Sequence, residues 1–419
     1  MPRKPYRLIE SFTVLLTIVL VSCNSSTTKE TAIALPSACA SDRFNVDIPT
    51  EISNAKWQLP TNFLSFNDPI FHKNLMVLST TGGPGVMAVN IEHGTTQWHM
   101  PISDNPARPI LCNDLIFVGG ENGTHYALDF YSQKEGKTKW EAPYPMQRIP
   151  VDYNNQMSTS YSRPVPTFNN DVVYYGTPYG QLFGRDIHTG GLVFEFNTNT
   201  EEDIVSQPII VGGYILFGSF DGYLYSVNLL TKTLNWKFNA GNRIRYSVTV
   251  AGNQFYVCSE DAKIHCGNAR TGDSLWSMPL GALNLSLMEE TMLEGLSKGG
   301  SPLEVGVNYK SFKFTSKPIV LGQSVIVRSR AGIFSFNTGS GKQNWHINPC
   351  PDDKASTEQI VGYNNALIIT CNNYIMFINP ANGATINSYD AHAPITNVAR
   401  YHNGKFFYTT ANGSIHCVE

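Results

Sequence analysis

One phrase recurs along this chain and restricts it to very few folds. Its clearest copy, Asp221-Gly-Tyr-Leu-Tyr-Ser-Val-Asn-Leu-Leu-Thr-Lys-Thr-Leu-Asn-Trp236, reads as a turn, an apolar strand, a second turn and a strand carrying a tryptophan. Asp-Gly between β-rich runs favours a tight hairpin, because glycine tolerates positive φ and aspartate bonds its own backbone. Leu224, Tyr225 and Val227 supply strand-favouring side chains. The phrase returns at 85–98, 123–140, 180–194, 262–276, 331–345 and 373–387, and an eighth copy begins at Gly413. The closing aromatic is Phe194 in one copy, and Asn387 takes its place in the most eroded one.

The anchors Trp98, Trp140, Phe194, Trp236, Trp276, Trp345 and Asn387 stand 42, 54, 42, 40, 69 and 42 residues apart. A period near 42 fits four short strands with their turns, the size of one propeller blade. Blades then fall at about 65–100, 108–142, 162–197, 204–240, 246–280, 314–347 and 357–390. Trp57, in Ala-Lys-Trp-Gln-Leu-Pro, is a lone copy of the final strand of the repeat, and the eighth copy stops short of that strand. Joining 394–419 to 51–60 explains both, and closure removes exposed sheet edges. The expectation is an all-β, eight-bladed propeller over 51–419, its ring closed by an N-terminal strand. An open β-solenoid would leave Trp57 without a role.

Two spacings are long, and the sequence places insertions at 141–162 and 279–313, each after a tryptophan strand. In the second, Ser286-Leu-Met-Glu289 resembles a capping box opening a short helix, with Leu285, Met288, Met292 and Leu296 on one face. In a four-stranded meander both insertions fall on one face of the disk. They mark a working surface, or their apolar residues cap the central channel.

The chain of 419 residues is 42% hydrophobic and 15% charged, so it can bury a large core. Its net charge is −3, and −5 once Arg3, Lys4, Arg7 and Glu10 are set aside with residues 1–22, which gives no basis for nucleic acid as a partner. Residues 1–22 read as a signal peptide: a basic start, then an apolar run over 11–21 too short to span a bilayer. The run ends in Leu20-Val21-Ser22-Cys23 and leads into a Ser/Thr-rich stretch, so 23–50 reads as a tether. Eight cysteines less Cys23 leave seven. Cys258 and Cys266 flank one hairpin turn and are either a disulfide or two small buried side chains.

Catalytic patterns are missing from the sequence. The ten histidines are scattered, without HExxH or comparable metal spacing, and neither GxSxG nor a GxxxxGK phosphate loop occurs. No catalytic residue, metal ligand or cofactor is assigned, and the expectation is a protein that is not an enzyme. A ligand-binding propeller for sugar or peptide, using Tyr144, Tyr153 and Tyr161, is the alternative.

The phrase Gly-x-Leu-Tyr-(Ala/Ser)-x-(Asn/Asp)-x-x-(Thr/Ser)-Gly-x-x-x-Trp resembles the repeat of pyrroloquinoline-quinone (PQQ)-type propellers. That resemblance implies that Trp57, Trp98, Trp140, Phe194, Trp236, Trp276 and Trp345 dock against neighbouring blades. It also admits a PQQ-dependent dehydrogenase, although the adjacent Cys-Cys pair of many such enzymes is absent here. Leu-Val-Ser-Cys resembles a bacterial lipobox, which implies acylation of Cys23, and Asn24 implies sorting to the outer membrane. An ordinary signal peptide with an incidental cysteine is the other reading. Lipobox and repeat together are similar to the BamB-like family of periplasmic lipoproteins. The family implies a scaffold without quinone, lipid-anchored on the periplasmic face of the outer membrane, that joins envelope proteins in the outer-membrane β-barrel assembly complex. Its Leu-x-Leu-Arg-Gly contact signature is absent from 197–207, which carries Glu201, Glu202 and Asp203 instead. The nearest similar string, Asn242-Arg-Ile-Arg-Tyr-Ser-Val248, makes Arg243, Ile244 and Arg245 the expected partner contact. The alternative is that both arginines only solvate a loop.

Overall fold

Asparagine or aspartate at the end of a third strand builds the turn of the repeat. Asn90, Asp186, Asn228, Asn268 and Asn337 each accept, on the side-chain oxygen, the N–H groups two and three residues on. A residue at positive φ then completes the turn: Gly94, Gly190, Gly272 and Gly341, with Lys232 in the remaining copy. The fourth strand starts from there with its register shifted by one bulge.

The computed structural model describes residues 43–44, 46–61, 63, 66–80, 85–101, 108–119, 124–129, 138–143, 165–280, 313–350 and 359–419. The protein is an all-β propeller. Its described strands form eight sheets, seven of four strands and one of five. In chain order their first strands are Ile70–His72, Ile110–Cys112, Thr167–Asn169, Ile209–Val211, Thr249–Ala251, Ile319–Leu321, Ile360–Tyr363 and Arg400–His402. Neighbours pair antiparallel within each repeat. In the eighth sheet Arg400–His402, Lys405–Thr409 and Ser414–Val418 are joined by Ala55–Pro60, with Trp57 opposite Cys417 and Pro60 opposite Ser414.

The core is divided among the junctions. Each hydrophobic cluster combines residues of two successive sheets, such as Phe255 and Val257 with Leu216 and Leu224. The eighth and first sheets meet likewise: Phe407, Ile415 and Cys417 pack with Met76, Leu78, Met87 and Val89.

Trp57, Trp98, Phe194, Trp236, Trp276 and Trp345 sit at these junctions. Trp57 donates from Nε1 to the Ile91 carbonyl at 3.0 Å, Trp276 to Thr338 at 3.0 Å and Trp345 to Pro380 at 3.2 Å, each in the next sheet. Trp98 and Trp236 are buried, Phe194 meets Tyr174 edge-on at 5.5 Å, and Trp140 pairs with Ala127 in its own sheet. The glycine of the next turn makes the docking possible. A Cβ on Gly94, Gly272, Gly341 or Gly383 would stand 2.5–2.8 Å from the ring of Trp57, Trp236, Trp276 or Trp345 respectively.

Three expectations need correction or limits. The tether drawn over 23–50 is too long. Arg43–Phe44 is a strand added in parallel to Ile360–Tyr363, and Ile48 is buried with Val361, Tyr363 and Phe406. A Cys258–Cys266 disulfide does not form, because the register sets Cys258 opposite Ile264 and Cys266 opposite Tyr256. Both are free and buried, and burial pushes the Cys266 thiol up to about 11. The disulfide present instead joins Cys350 to Cys371, with 5.7 Å between Cα atoms. Cys23, the signal peptide, nearly all of both insertions with the 285–296 helix, and Tyr144, Tyr153 and Tyr161 lie outside the described residues.

Candidate interface on the connection-bearing face

Connections from a fourth strand to the next first strand run beside the second-to-third turns, and together they form one face. The link 240–247 shows how. The Ala240 N–H donates to the Gly222 carbonyl, Ile244 N–H to Ser219, and Glu260 N–H to Arg243, so the link lies between the turns of the fourth and fifth sheets. Ile244 is its pin. The side chain is fully buried against Gly218, where an added Cβ would meet Ile244 Cγ2 at 2.1 Å.

That placement corrects one expected contact residue: Ile244 belongs to the core and is not available to a partner. Its burial turns the flanking residues outward. Arg243 is exposed and Arg245 half-buried, and their guanidinium carbons lie 5.3 and 4.9 Å from the centre of the Phe220 ring. Arg245 Nε also donates to Glu260 at 2.8 Å, and Lys313 Nζ stands 3.8 Å from the same carboxylate. Exposed Glu201 and Glu202 occupy the neighbouring link. A shallow depression beside the cluster is lined by Arg245, Tyr246, Ser259, Glu260, Lys313 and Phe314. Two cations on one aromatic ring form a platform whose guanidinium edges can still bond a carboxylate.

Among the described residues, chemistry has one superficial candidate. Ser259 Oγ lies 2.9 Å from His265 Nε2, and Ser259 also donates to Asp261. A nucleophile–base–acid relay would need the carboxylate on the far ring nitrogen, but Ser277 Oγ occupies it at 3.0 Å. Ser259 and His265 are both buried, and desolvation lowers the imidazole to about 4. Burial opposes ionisation of Asp261, yet hydrogen bonds from Lys263 and Ser259 outweigh it and hold the carboxyl below its usual value. The arrangement returns in the eighth sheet as Thr410, His416 and Asn412. It is a buckle for the second-to-third turn, repeated with the fold. Among the described residues no group of three or more His, Cys, Asp or Glu could hold a metal ion.

The family model described as outer membrane protein assembly factor BamB matches residues 68–278 and 221–403. The chain belongs to the BamB family. Similar relatives bearing that same name include one from Shewanella oneidensis, 23% identical over 279 residues, covering 60% of this chain and 66% of the relative. Another, from Yersinia pestis, is 21% identical over 275 residues with the same two coverages. One from Vibrio cholerae is 24% identical over 163 residues, covering 37% of this chain and 39% of the relative. The chain thus spans about two thirds or less of the length of these curated relatives. Among solved structures, BamB from Moraxella catarrhalis matches with a TM-score of 0.61 at 16% identity, over 87% of this chain and 97% of that one. The computationally designed Ika8 protein matches with a TM-score of 0.63 at 12% identity, over 87% and 99%. Identities this low carry the propeller fold alone.

Proposed function

We propose that the protein is a non-enzymatic scaffold that takes part in the assembly of outer-membrane β-barrel proteins. In this reading Cys23 is acylated, the ring sits on the periplasmic face of the outer membrane, and its partners are envelope proteins of the barrel-assembly complex. The eight sheets serve as an eight-bladed ring closed by Ala55–Pro60, a rigid frame that holds loops at fixed positions. Membership in the BamB family and the names of the relatives support the role.

The observation that carries the site is the pair of guanidiniums on Phe220, exposed beside Glu260 on the connection-bearing face. Arginine and aromatic residues are enriched where interfaces carry their energy, and a platform of this kind suits an acidic, partly extended partner segment. Affinity purification of the lipidated protein from its own cells tests the reading. The barrel-assembly subunit should be recovered, and Arg243→Glu with Arg245→Glu should lose it. Recovery of only a sugar or peptide would move the protein to the ligand-binding class. A rise in melting temperature with pyrroloquinoline quinone and Ca²⁺, together with dye reduction, would make it a dehydrogenase.

A further inference from the structure

The seventh sheet differs from the others at its inner edge. The innermost strands of the first, second, third, fourth and sixth sheets each follow a proline: Pro69, Pro109, Pro166, Pro208 and Pro318. Proline has no N–H to offer, so it blunts an edge against strand addition. The fifth, seventh and eighth sheets lack it, with Val248, Gln359 and Ala399 at that place, and the seventh alone has a four-residue innermost strand where every other has three. It is also the sheet that carries a fifth strand. Arg43–Phe44 pairs there in parallel, Arg43 opposite Gly362 and Phe44 opposite Tyr363.

The rest of the arm is held at the corner that follows. The Asn364 N–H donates to the Val46 carbonyl at 3.1 Å, the Ile48 N–H to Asn365 Oδ1 at 2.9 Å, and Asn365 Nδ2 to the Ile48 carbonyl at 2.8 Å. Val46 is 47% exposed, whereas Ile48 is 4% exposed in a socket shared by the seventh and eighth sheets. This is the junction without an aromatic anchor, since Asn387 is exposed. Of 46–48, therefore, only Ile48 contributes a buried apolar side chain, and the bonds to the corner all use the arm's own backbone.

We infer that the inner edge of the seventh sheet is a strand-acceptor site for an extended polypeptide segment, filled in this structure by the chain's own arm. Backbone pairing gives affinity without reading sequence, and the socket selects one feature. The segment it fits runs parallel to Ile360–Tyr363 and carries a branched aliphatic residue four positions after its last paired residue, as Ile48 follows Phe44. Such a segment of another polypeptide can replace the arm. The site stands on the geometry of this sheet and does not depend on which envelope protein meets Arg243 and Arg245.

Hydrogen exchange of the full chain, read over 360–366, tests this. Asn365→Ala removes both side-chain bonds to Ile48 from an exposed corner, and Ile48→Ser empties the socket. Each should speed exchange of the Gly362 and Asn364 amides about tenfold or more, while the Tyr363 amide, which donates to the Ala366 carbonyl, stays protected and the unfolding midpoint of Asn365→Ala changes little. A synthetic peptide of residues 41–50 should restore protection in Ile48→Ser, whose acceptor edge is intact, and leave the unaltered chain as it was. A scrambled peptide keeping its isoleucine in place should protect too, and one with proline at the Phe44 position should not. Unchanged exchange in both variants, or a peptide that never restores protection, overturns the proposal.

Discussion

The indole of Trp276 rests on Gly341 of the following sheet, so close that a single methyl group there would stand 2.7 Å from the ring. Gly341 also holds φ at +69°, where a side chain is strained. Trp276→Ala should cost about 3–5 kcal/mol, as buried aromatic truncations do. Gly341→Ala should cost about 1–3 kcal/mol from backbone strain and the clash together. The two should not add: with the indole gone, only the strain remains. Denaturant unfolding of both single variants and the double variant measures the coupling.

Removing residues 51–60 takes the outer strand from the eighth sheet and uncovers the whole length of Ser414–Val418. An uncovered edge invites intermolecular pairing. The truncated protein should aggregate rather than lose a little stability. Light scattering of freshly refolded protein distinguishes the two, and a monodisperse monomer would show that the strand is dispensable.

Acid should weaken the fold through His265. Its buried imidazole binds a proton only near pH 4, whereas in the unfolded chain it does so near 6.5. Between those values the unfolded state holds the extra proton, so stability falls as pH falls, and below about 4 this group adds no further loss. Burial shifts His402 and His416 the same way. The loss from His265 between pH 7 and 4.5 should approach about 2–3 kcal/mol. Urea unfolding at the two pH values reads it, and His265→Gln, which can still bond Ser259 and Ser277, should shrink the difference.

Cys350 and Cys371 tie the end of the sixth sheet to the seventh, across 21 residues of chain. A loop of that size is worth about 3 kcal/mol when closed. Reducing agent, or Cys371→Ser, should lower the melting temperature by several degrees, while Cys258→Ser and Cys266→Ser variants should respond to reduction like the parent.

The propeller was legible because its repeat is built from local turn chemistry, in which Asn or Asp, a positive-φ residue and an aromatic fall at fixed offsets. Even the irregular copies obey one physical rule. Phe194 replaces tryptophan where the next described turn carries Lys232 instead of glycine. Asn387 replaces it where the turn it would meet is missing: the eighth sheet is broken there, with Ser53 and Asn54 donating to the Glu419 carbonyl. The contact site was read only in part. Arg243 and Arg245 do reach the surface, but strand alternation does not govern a loop, so nothing in the string marked Ile244 as the buried pin. Phe220 carried no signal because its partners, Arg243 and Arg245, lie more than twenty residues on, beyond two intervening strands. The arm at Arg43–Phe44 left no signal either, since a two-residue strand has no periodicity to read.

The pairing of Ala55–Pro60 with Ser414–Val418 also orders events in time. Thr61 and Gly413, bonded to each other at the top of that pair, are 352 residues apart in sequence. Ala55–Pro60 therefore has no partner until Ser414–Val418 exists, and every other sheet can form before this one. A chain cut short anywhere upstream of Ser414 keeps a strand it cannot place. The seam thus works as a test of completeness, passed only by a polypeptide that carries both Ala55–Pro60 and Ser414–Val418.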